Sequence, residues 1–193
     1  MFWPRVARAL LWLGGWTSVG GPPGVHKAVL IAAPHTSNWD GFWALVYKVA
    51  VGLEVKLFVK DSLFWFPLNL LLRGLGAIPL NRGDARMAVE QAIEAFNNEE
   101  SFFFGLAPEG TRGKTAGWKT GFYRIAEGAG VPVILGFLDY RNKRLGLGPM
   151  VTLTGDMSAD FKIIRSFYAA VEGRRPDQTS PVTQLRGKKG TGK

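Results

Sequence analysis

Residues 27–40 read KAVLIAA followed by PHTSNWD, from Lys27 to Asp40. The first seven residues are an apolar run of strand length, set off from the preceding chain by the glycine and proline break at Gly20–Gly24. Beyond the run the chain turns through Thr36–Asn38, and Trp39–Val51 has helical patterning. A strand that delivers a histidine and a carboxylate into a strand-to-helix turn suits a layered α/β domain, where functional residues occupy the loops beyond the strand ends.

The alternation continues on the C-terminal side. Val55–Lys60 reads as a strand, Pro67–Leu75 as a short apolar helix and Ala77–Leu80 as another strand. Asp84 is placed to cap a helix over Ala85–Phe96, whose apolar residues at 85, 88, 89, 92, 93 and 96 form one stripe. Ser101–Ala107 is a Phe-rich strand, Lys119–Ala129 a helix ending at Gly130, and Val131–Tyr140 a further strand. Arg144–Leu153 adds short strands, and Phe161, Ile164, Phe167, Tyr168 and Val171 mark a last helix. The expected fold is α/β: one layered domain over 25–172 with a mixed, largely parallel sheet flanked by helices. No internal repeat is visible.

His35 lies directly after the first of these strands, and Asp40 follows it by five residues. A carboxylate that accepts the Nδ1 proton fixes the tautomer of an imidazole and leaves Nε2 free to take a proton. By itself the spacing is a weak signal, since a lone histidine at a strand end is more often structural. His26 has no neighbouring partner and reads as a loop residue. After the Phe-rich strand comes LAPEGTR, where Pro108 and Gly110 force a turn that presents Glu109, Thr111 and Arg112. Arginine grips phosphate through two parallel charge-assisted hydrogen bonds. The stretch GAIPLNR, Gly76–Arg82, places Arg82 just past a strand, and Lys60 ends the strand before it. If these strands share a direction, His35 and the cations Lys60, Arg82 and Arg112 converge on one sheet edge, a pocket for an anionic group beside a base.

The length of 193 residues suits one domain with a sizeable core, and 47% hydrophobic with 20% charged residues is a globular balance. Seven Trp and thirteen Phe point to a large core, a lipid-facing surface or an acyl pocket. The net charge of +9 is concentrated at the C-terminal end, where Arg174, Arg175, Arg186, Lys188, Lys189 and Lys193 face the single acid Asp177. Residues 173–193 are therefore expected to form a basic, disordered tail, suited to an anionic membrane leaflet or to nucleic acid. Residues 1–24 open with Trp3, Trp12 and Trp16 beside Arg5 and Arg8, the pattern of an amphipathic segment anchoring at a membrane interface. Its apolar run is too short to span a bilayer, and it lacks a convincing cleavage site for a secretory signal. There is no cysteine, which excludes disulfides, thiolate metal sites and a cysteine nucleophile. No metal-binding motif is present.

Over roughly residues 25–140 these motifs resemble the lysophospholipid/glycerolphosphate acyltransferase family, typified by 1-acylglycerol-3-phosphate acyltransferases. His35 and Asp40 match its His-x4-Asp block, Gly76–Arg82 its second block, Pro108–Arg112 its Pro-Glu-Gly-Thr-Arg block, and Val131–Pro132 its fourth. Pro34, Ala107 and Gly136 depart from the residues common at their positions. The resemblance implies a glycerolphosphate-acyltransferase-like fold, with His35 as general base paired to Asp40. It implies that Arg82 and Arg112 hold an acceptor phosphate with help from Lys60, that Glu109 orders the acceptor site, and that Gly110 and Thr111 shape the turn.

The implied reaction moves a fatty acyl group from acyl-CoA or acyl-ACP, serving as co-substrate, to a hydroxyl of a lysophospholipid or glycerolphosphate-type acceptor, with 1-acyl-sn-glycerol-3-phosphate the leading candidate. No cofactor is expected, nor a nucleic-acid partner. The expected setting is peripheral or monotopic on the cytoplasmic face of a membrane. Three other readings stand beside it: a related acyltransferase with a non-phospholipid acceptor, a lipid or thioester hydrolase, and a basic nucleic-acid or membrane-surface binder. The hydrolase reading lacks a Gly-x-Ser-x-Gly elbow, since Ser37 lies too close to His35 to serve as its nucleophile.

Overall fold

Side chains along Lys27–Ala33 alternate between two buried faces, which places this strand inside the molecule rather than at its surface. Val29, Ile31 and Ala33 enter one apolar cluster, and Ala28 and Leu30 enter another on the opposite side. The computed structural model describes residues 2–80 and 85–185. In chain order the elements are α1 (Phe2–Leu13), β1 (Thr17–Val19), β2 (Lys27–Ala33), α2 (Asn38–Val51), β3 (Val55–Lys60), α3 (Leu68–Gly74) and β4 (Ala77–Leu80). They continue as α4 (Ala85–Asn98), β5 (Phe102–Leu106), α5 (Gly121–Ala129), β6 (Val133–Asp139), β7 (Arg144–Val151) and α6 (Met157–Tyr168).

The strands form one sheet in the order β1-β7-β6-β2-β5-β3-β4. β2 is central and runs parallel to both neighbours, with Ile31 opposite Leu106 of β5 and Ala33 opposite Phe137 of β6. β3 and β4 continue the parallel array, and only the β6–β7 pairing is antiparallel. This is the mixed, largely parallel sheet expected, and it aligns the C-terminal ends of β2, β3, β4, β5 and β6 along one edge.

Helices cover both faces. Phe96 of α4, Phe122 and Tyr123 of α5, and Phe161 and Ile164 of α6 pack with Val29, Ile31, Phe102 and Phe104. Burying each such side chain stabilises the fold by about 1.5–3 kcal/mol. On the other face Val46, Tyr47 and Ala50 of α2 join Leu138 and Leu145 of the sheet. α2 ends at Gly52, whose left-handed φ of 71° lets its N–H close on Lys48 and Val49 carbonyls.

Two boundaries differ from expectation. The N-terminal segment is not set apart from the domain, because Ala7 and Leu11 of α1 and Trp16 share the α2 cluster. The strand β1, too short and polar to be legible, forms by pairing Thr17–Val19 with Arg144–Gly146. The stretch 173–185 is also no disordered tail. It crosses back over the domain as a strap, with Ser180 buried and its Oγ accepting from the Thr115 N–H at 3.0 Å. Trp118 N–H donates to the Thr183 carbonyl at 2.7 Å, and Leu185 N–H donates to the Trp118 carbonyl at 2.8 Å. Backbone pairing with a buried tryptophan compensates for the polar composition that suggested disorder. Asp84, the expected cap of α4, and residues 186–193 lie outside the described residues.

Candidate active site

The site is built at the first turn of α2. Ser37 is its N-cap and Asp40 its third residue, and the two exchange side-chain-to-backbone bonds as a capping box. This brings the carboxylate back toward the strand end. Asp40 Oδ2 accepts the N–H groups of Thr36 and Ser37, each at 2.7 Å. The His35 ring, 28% exposed, turns Nδ1 toward the same oxygen at 3.5 Å, while Asp40 is 2% exposed. That separation exceeds a formed hydrogen bond, and catalytic contacts of this kind commonly tighten only when substrate is bound. With Nδ1 on the Asp40 side, Nε2 is on the far side of the ring.

A second bond fixes the other carboxylate oxygen. Tyr140, just past β6, donates its hydroxyl to Asp40 Oδ1 at 2.7 Å. Burial pushes the Asp40 carboxyl up, but the nearby His35 ring and the hydrogen bonds from Tyr140, Ser37 and Thr36 together outweigh it and hold the group below the usual carboxylate range. The three short bonds, each at 2.7 Å, hold the carboxylate more firmly than the 3.5 Å histidine contact. Burial first, then the hydrogen bond to Asp40 and the charge of that carboxylate, raises the Tyr140 hydroxyl well above its ordinary value, so it remains a donor.

Glu109 approaches from beyond β5 and lies 2% exposed. Its Oε2 accepts the His35 backbone N–H at 2.7 Å, while Oε1 is buried without a partner. Burial pushes this carboxyl up to about 7, against the lowering effect of the His35 N–H. Glu109 was expected on the substrate side; its carboxyl is instead enclosed and braces the histidine backbone. Gly110 has φ +68°, and a Cβ there would meet the Lys119 side chain at 2.9 Å, which explains the glycine of this turn. Thr111 is exposed and its hydroxyl accepts from the Gly113 N–H at 3.4 Å. Arg112 hydrogen-bonds Asn38 Oδ1, which links the Pro108–Arg112 turn to the start of α2.

Arg112 also lines a cavity of about 370 Å³ with Thr36, Ser37, Asn38, Trp39 and Arg175. His35 is not in this lining but is the residue next to Thr36. A second cavity of about 330 Å³ lies among Trp39, Trp43, Tyr140, Lys143 and Arg174. Lys60 ends β3 at the same sheet edge by its backbone, and Arg82 lies outside the described residues. Among the described residues no group of three or more His, Cys, Asp or Glu comes together to hold a metal ion.

The site therefore unites His35, Asp40, Glu109 and Arg112. Sequence reasoning missed Tyr140 and the strap residues Arg174 and Arg175. Tyr140 carries no motif, although its position past a strand parallel to β2 is a signal. The capping box formed by Ser37 and Asp40, which the sequence reading missed, explains why Asp40 returns to His35.

Comparison with known proteins bears on the family and the fold. The family model described as Acyltransferase matches residues 20–134. A chloroplastic 1-acyl-sn-glycerol-3-phosphate acyltransferase of Brassica napus is 31% identical over 107 residues, covering 52% of this chain and 30% of that protein. Its counterpart in Arabidopsis thaliana is 29% identical over 109 residues, covering 53% and 30%. The chain thus matches less than a third of the length of these curated relatives. The crystal structure of the 1-acyl-sn-glycerophosphate (LPA) acyltransferase of Thermotoga maritima superposes with a TM-score of 0.58 at 19% identity, covering 86% of this chain and 74% of that one, a likeness of fold. With the family model spanning more than half of its length, including the His35–Asp40 turn and the Pro108–Arg112 turn, the chain belongs to the Acyltransferase family.

Proposed function

We propose that the protein transfers a fatty acyl group from a thioester, acyl-CoA or acyl-ACP, to a hydroxyl of a phosphate-bearing lipid acceptor, of which 1-acyl-sn-glycerol-3-phosphate is the first candidate. The observation that carries this reading is the His35 ring set against the buried Asp40 carboxylate, one residue from a cavity that holds Arg112. The relatives' names supply the acceptor class.

A thioester is already activated, so the reaction as written needs no nucleophile from the protein and no resident cofactor. His35 Nε2 takes the proton of the acceptor hydroxyl as its oxygen attacks the thioester carbon. The ester C–O bond forms, the tetrahedral intermediate collapses with cleavage of C–S, and the thiolate leaves, recovering the proton from the imidazolium. Asp40 stabilises that imidazolium and keeps Nδ1 protonated in the resting state. Tyr140 and the Thr36 and Ser37 N–H groups keep Asp40 ionised for this task. Glu109 sets the backbone of His35, and Arg112 orients the acceptor through its phosphate.

The N-terminal helix fits docking to a membrane surface. Phe2, Trp3, Trp12 and Leu13 of α1 are exposed, Trp3 at 71% and Trp12 at 77%, close to Arg5 and Arg8. Among the described residues no helix is long and apolar enough to cross a membrane. A panel of thioester donors and lipid acceptors, with products identified by mass spectrometry, tests the function. Acylated acceptor is expected; free fatty acid as the sole product would favour hydrolysis.

A further inference from the structure

We infer that Arg175, on the strap that follows the last helix, joins Arg112 to form a two-arginine phosphate site in the cavity at Thr36–Trp39. The inference deepens the reading above and rests on it. Among the described residues, the two guanidinium side chains are the only charged groups in that lining, and none of the described lining residues is a carboxylate. Arg175 has no carboxylate partner among the described residues, and Arg112 bonds the neutral Asn38 amide. Two like charges facing one open space, with no acid between them, fit an anionic ligand.

Most of the N–H donors at the start of α2 are already engaged. The Thr36 and Ser37 N–H groups are committed to Asp40, and the Trp39 N–H to Ser37 Oγ at 3.3 Å. The positive charge therefore comes from the arginines. Two guanidinium forks around one phosphate make parallel, charge-assisted bonds that a lone arginine cannot complete.

The strap is held where Arg175 is needed. Arg175 N–H donates to Thr36 Oγ1 at 3.1 Å, and Tyr140 N–H donates to the Glu172 carbonyl at 2.9 Å. Gly173 lies so close that a Cβ there would meet Thr36 and Pro34 at 3.1–3.2 Å. These contacts seat the strap on the residues flanking His35, so a phosphate gripped by Arg175 lies near the base. Arg175 also lies beyond residue 134, where the family match ends. It thus adds to the site a cation that the matched motifs do not contain. The shared chemistry is a phosphate ester, carried by the acceptor headgroup or by the phosphopantetheine-bearing donor.

The test uses the full chain as wild type, Arg175→Ala and Arg175→Lys. It measures KM and kcat separately for acceptor and donor, and the affinity for glycerol 3-phosphate by calorimetry. Arg175→Ala is expected to raise the acceptor KM about tenfold or more with kcat nearly unchanged, and to weaken glycerol 3-phosphate binding in step. Arg175→Lys recovers only part, because it restores charge without the fork. A rise confined to the donor KM keeps the phosphate site and assigns it to the donor. A wild type that makes no acylated product, yet loses glycerol 3-phosphate affinity on Arg175→Ala, keeps the site and rejects the proposed reaction. Unchanged KM values and unchanged glycerol 3-phosphate affinity in a folded Arg175→Ala protein overturn the inference.

Discussion

Tyr140 and Asp40 are joined by a 2.7 Å hydrogen bond that ties the end of β6 to the first turn of α2. The bond uses the carboxylate oxygen that His35 does not face, so the acid is gripped from both sides. Three parallel strands thereby converge on one group of atoms: β2 brings His35, β5 brings Glu109, and β6 brings Tyr140.

Tyr140→Phe removes this grip and leaves the ring. A hydrogen bond to a charged group contributes about 1.5–3 kcal/mol. The variant should lose about tenfold or more in kcat with little change in KM. Asp40 is held below its ordinary value in the folded state, so the stability it contributes is present at neutral pH and lost as pH falls through that depressed value. The stability gap between wild type and Tyr140→Phe should therefore be widest at neutral pH and narrow below about pH 4. Denaturant melts at several pH values check this, and a gap independent of pH would argue against the bond's role.

Glu109 gives a pH dependence of opposite sign. Its carboxyl is raised to about 7 by burial, so the folded state binds more protons than the unfolded chain between the ordinary carboxylate range and about 7. Stability should fall with rising pH across that window and level off above it. Glu109→Gln keeps an acceptor for the His35 N–H and cannot ionise. Relative to wild type it should gain stability as pH rises from about 4.5 to 7, whatever its constant offset. Parallel wild-type and variant curves would show that the carboxyl is not held protonated.

The proposed membrane contact predicts a separable defect. Trp3 and Trp12 are exposed, so replacing both with Ala should leave the thermal midpoint almost unchanged. It should weaken binding to phosphatidylcholine vesicles containing phosphatidylglycerol by about tenfold or more, given the apolar area each indole can bury. Cosedimentation measures it. Equal vesicle binding by the double variant would remove α1 from the interface.

Much of this architecture was legible because its parts are local. β2, β3 and β4 occupy the expected residues, since short apolar runs bounded by glycine, proline or polar turns have little alternative. β1 was not legible, because Thr17–Val19 becomes a strand only through β7, far away in the chain. The strap escaped for the same reason: its order comes from Thr36, Thr115 and Trp118, not from its own composition. In the site, the return of Asp40 toward His35 could be anticipated from the turn after β2, although the spacing alone did not separate a catalytic from a structural histidine. Glu109 was misplaced toward substrate, since a carboxylate beside an arginine gives no sign that its partner is a backbone N–H 74 positions earlier.

The central claim is that the His35 imidazole is the base for acyl transfer. The most direct measurement is the rate of acylated product formation by purified wild type and His35→Ala, with an acyl-CoA or acyl-ACP donor and 1-acyl-sn-glycerol-3-phosphate. The predicted result is a loss of about 10²–10⁴-fold in kcat with the fold preserved, the contribution expected of a general base. A folded His35→Ala protein that turns over at the wild-type rate would contradict it.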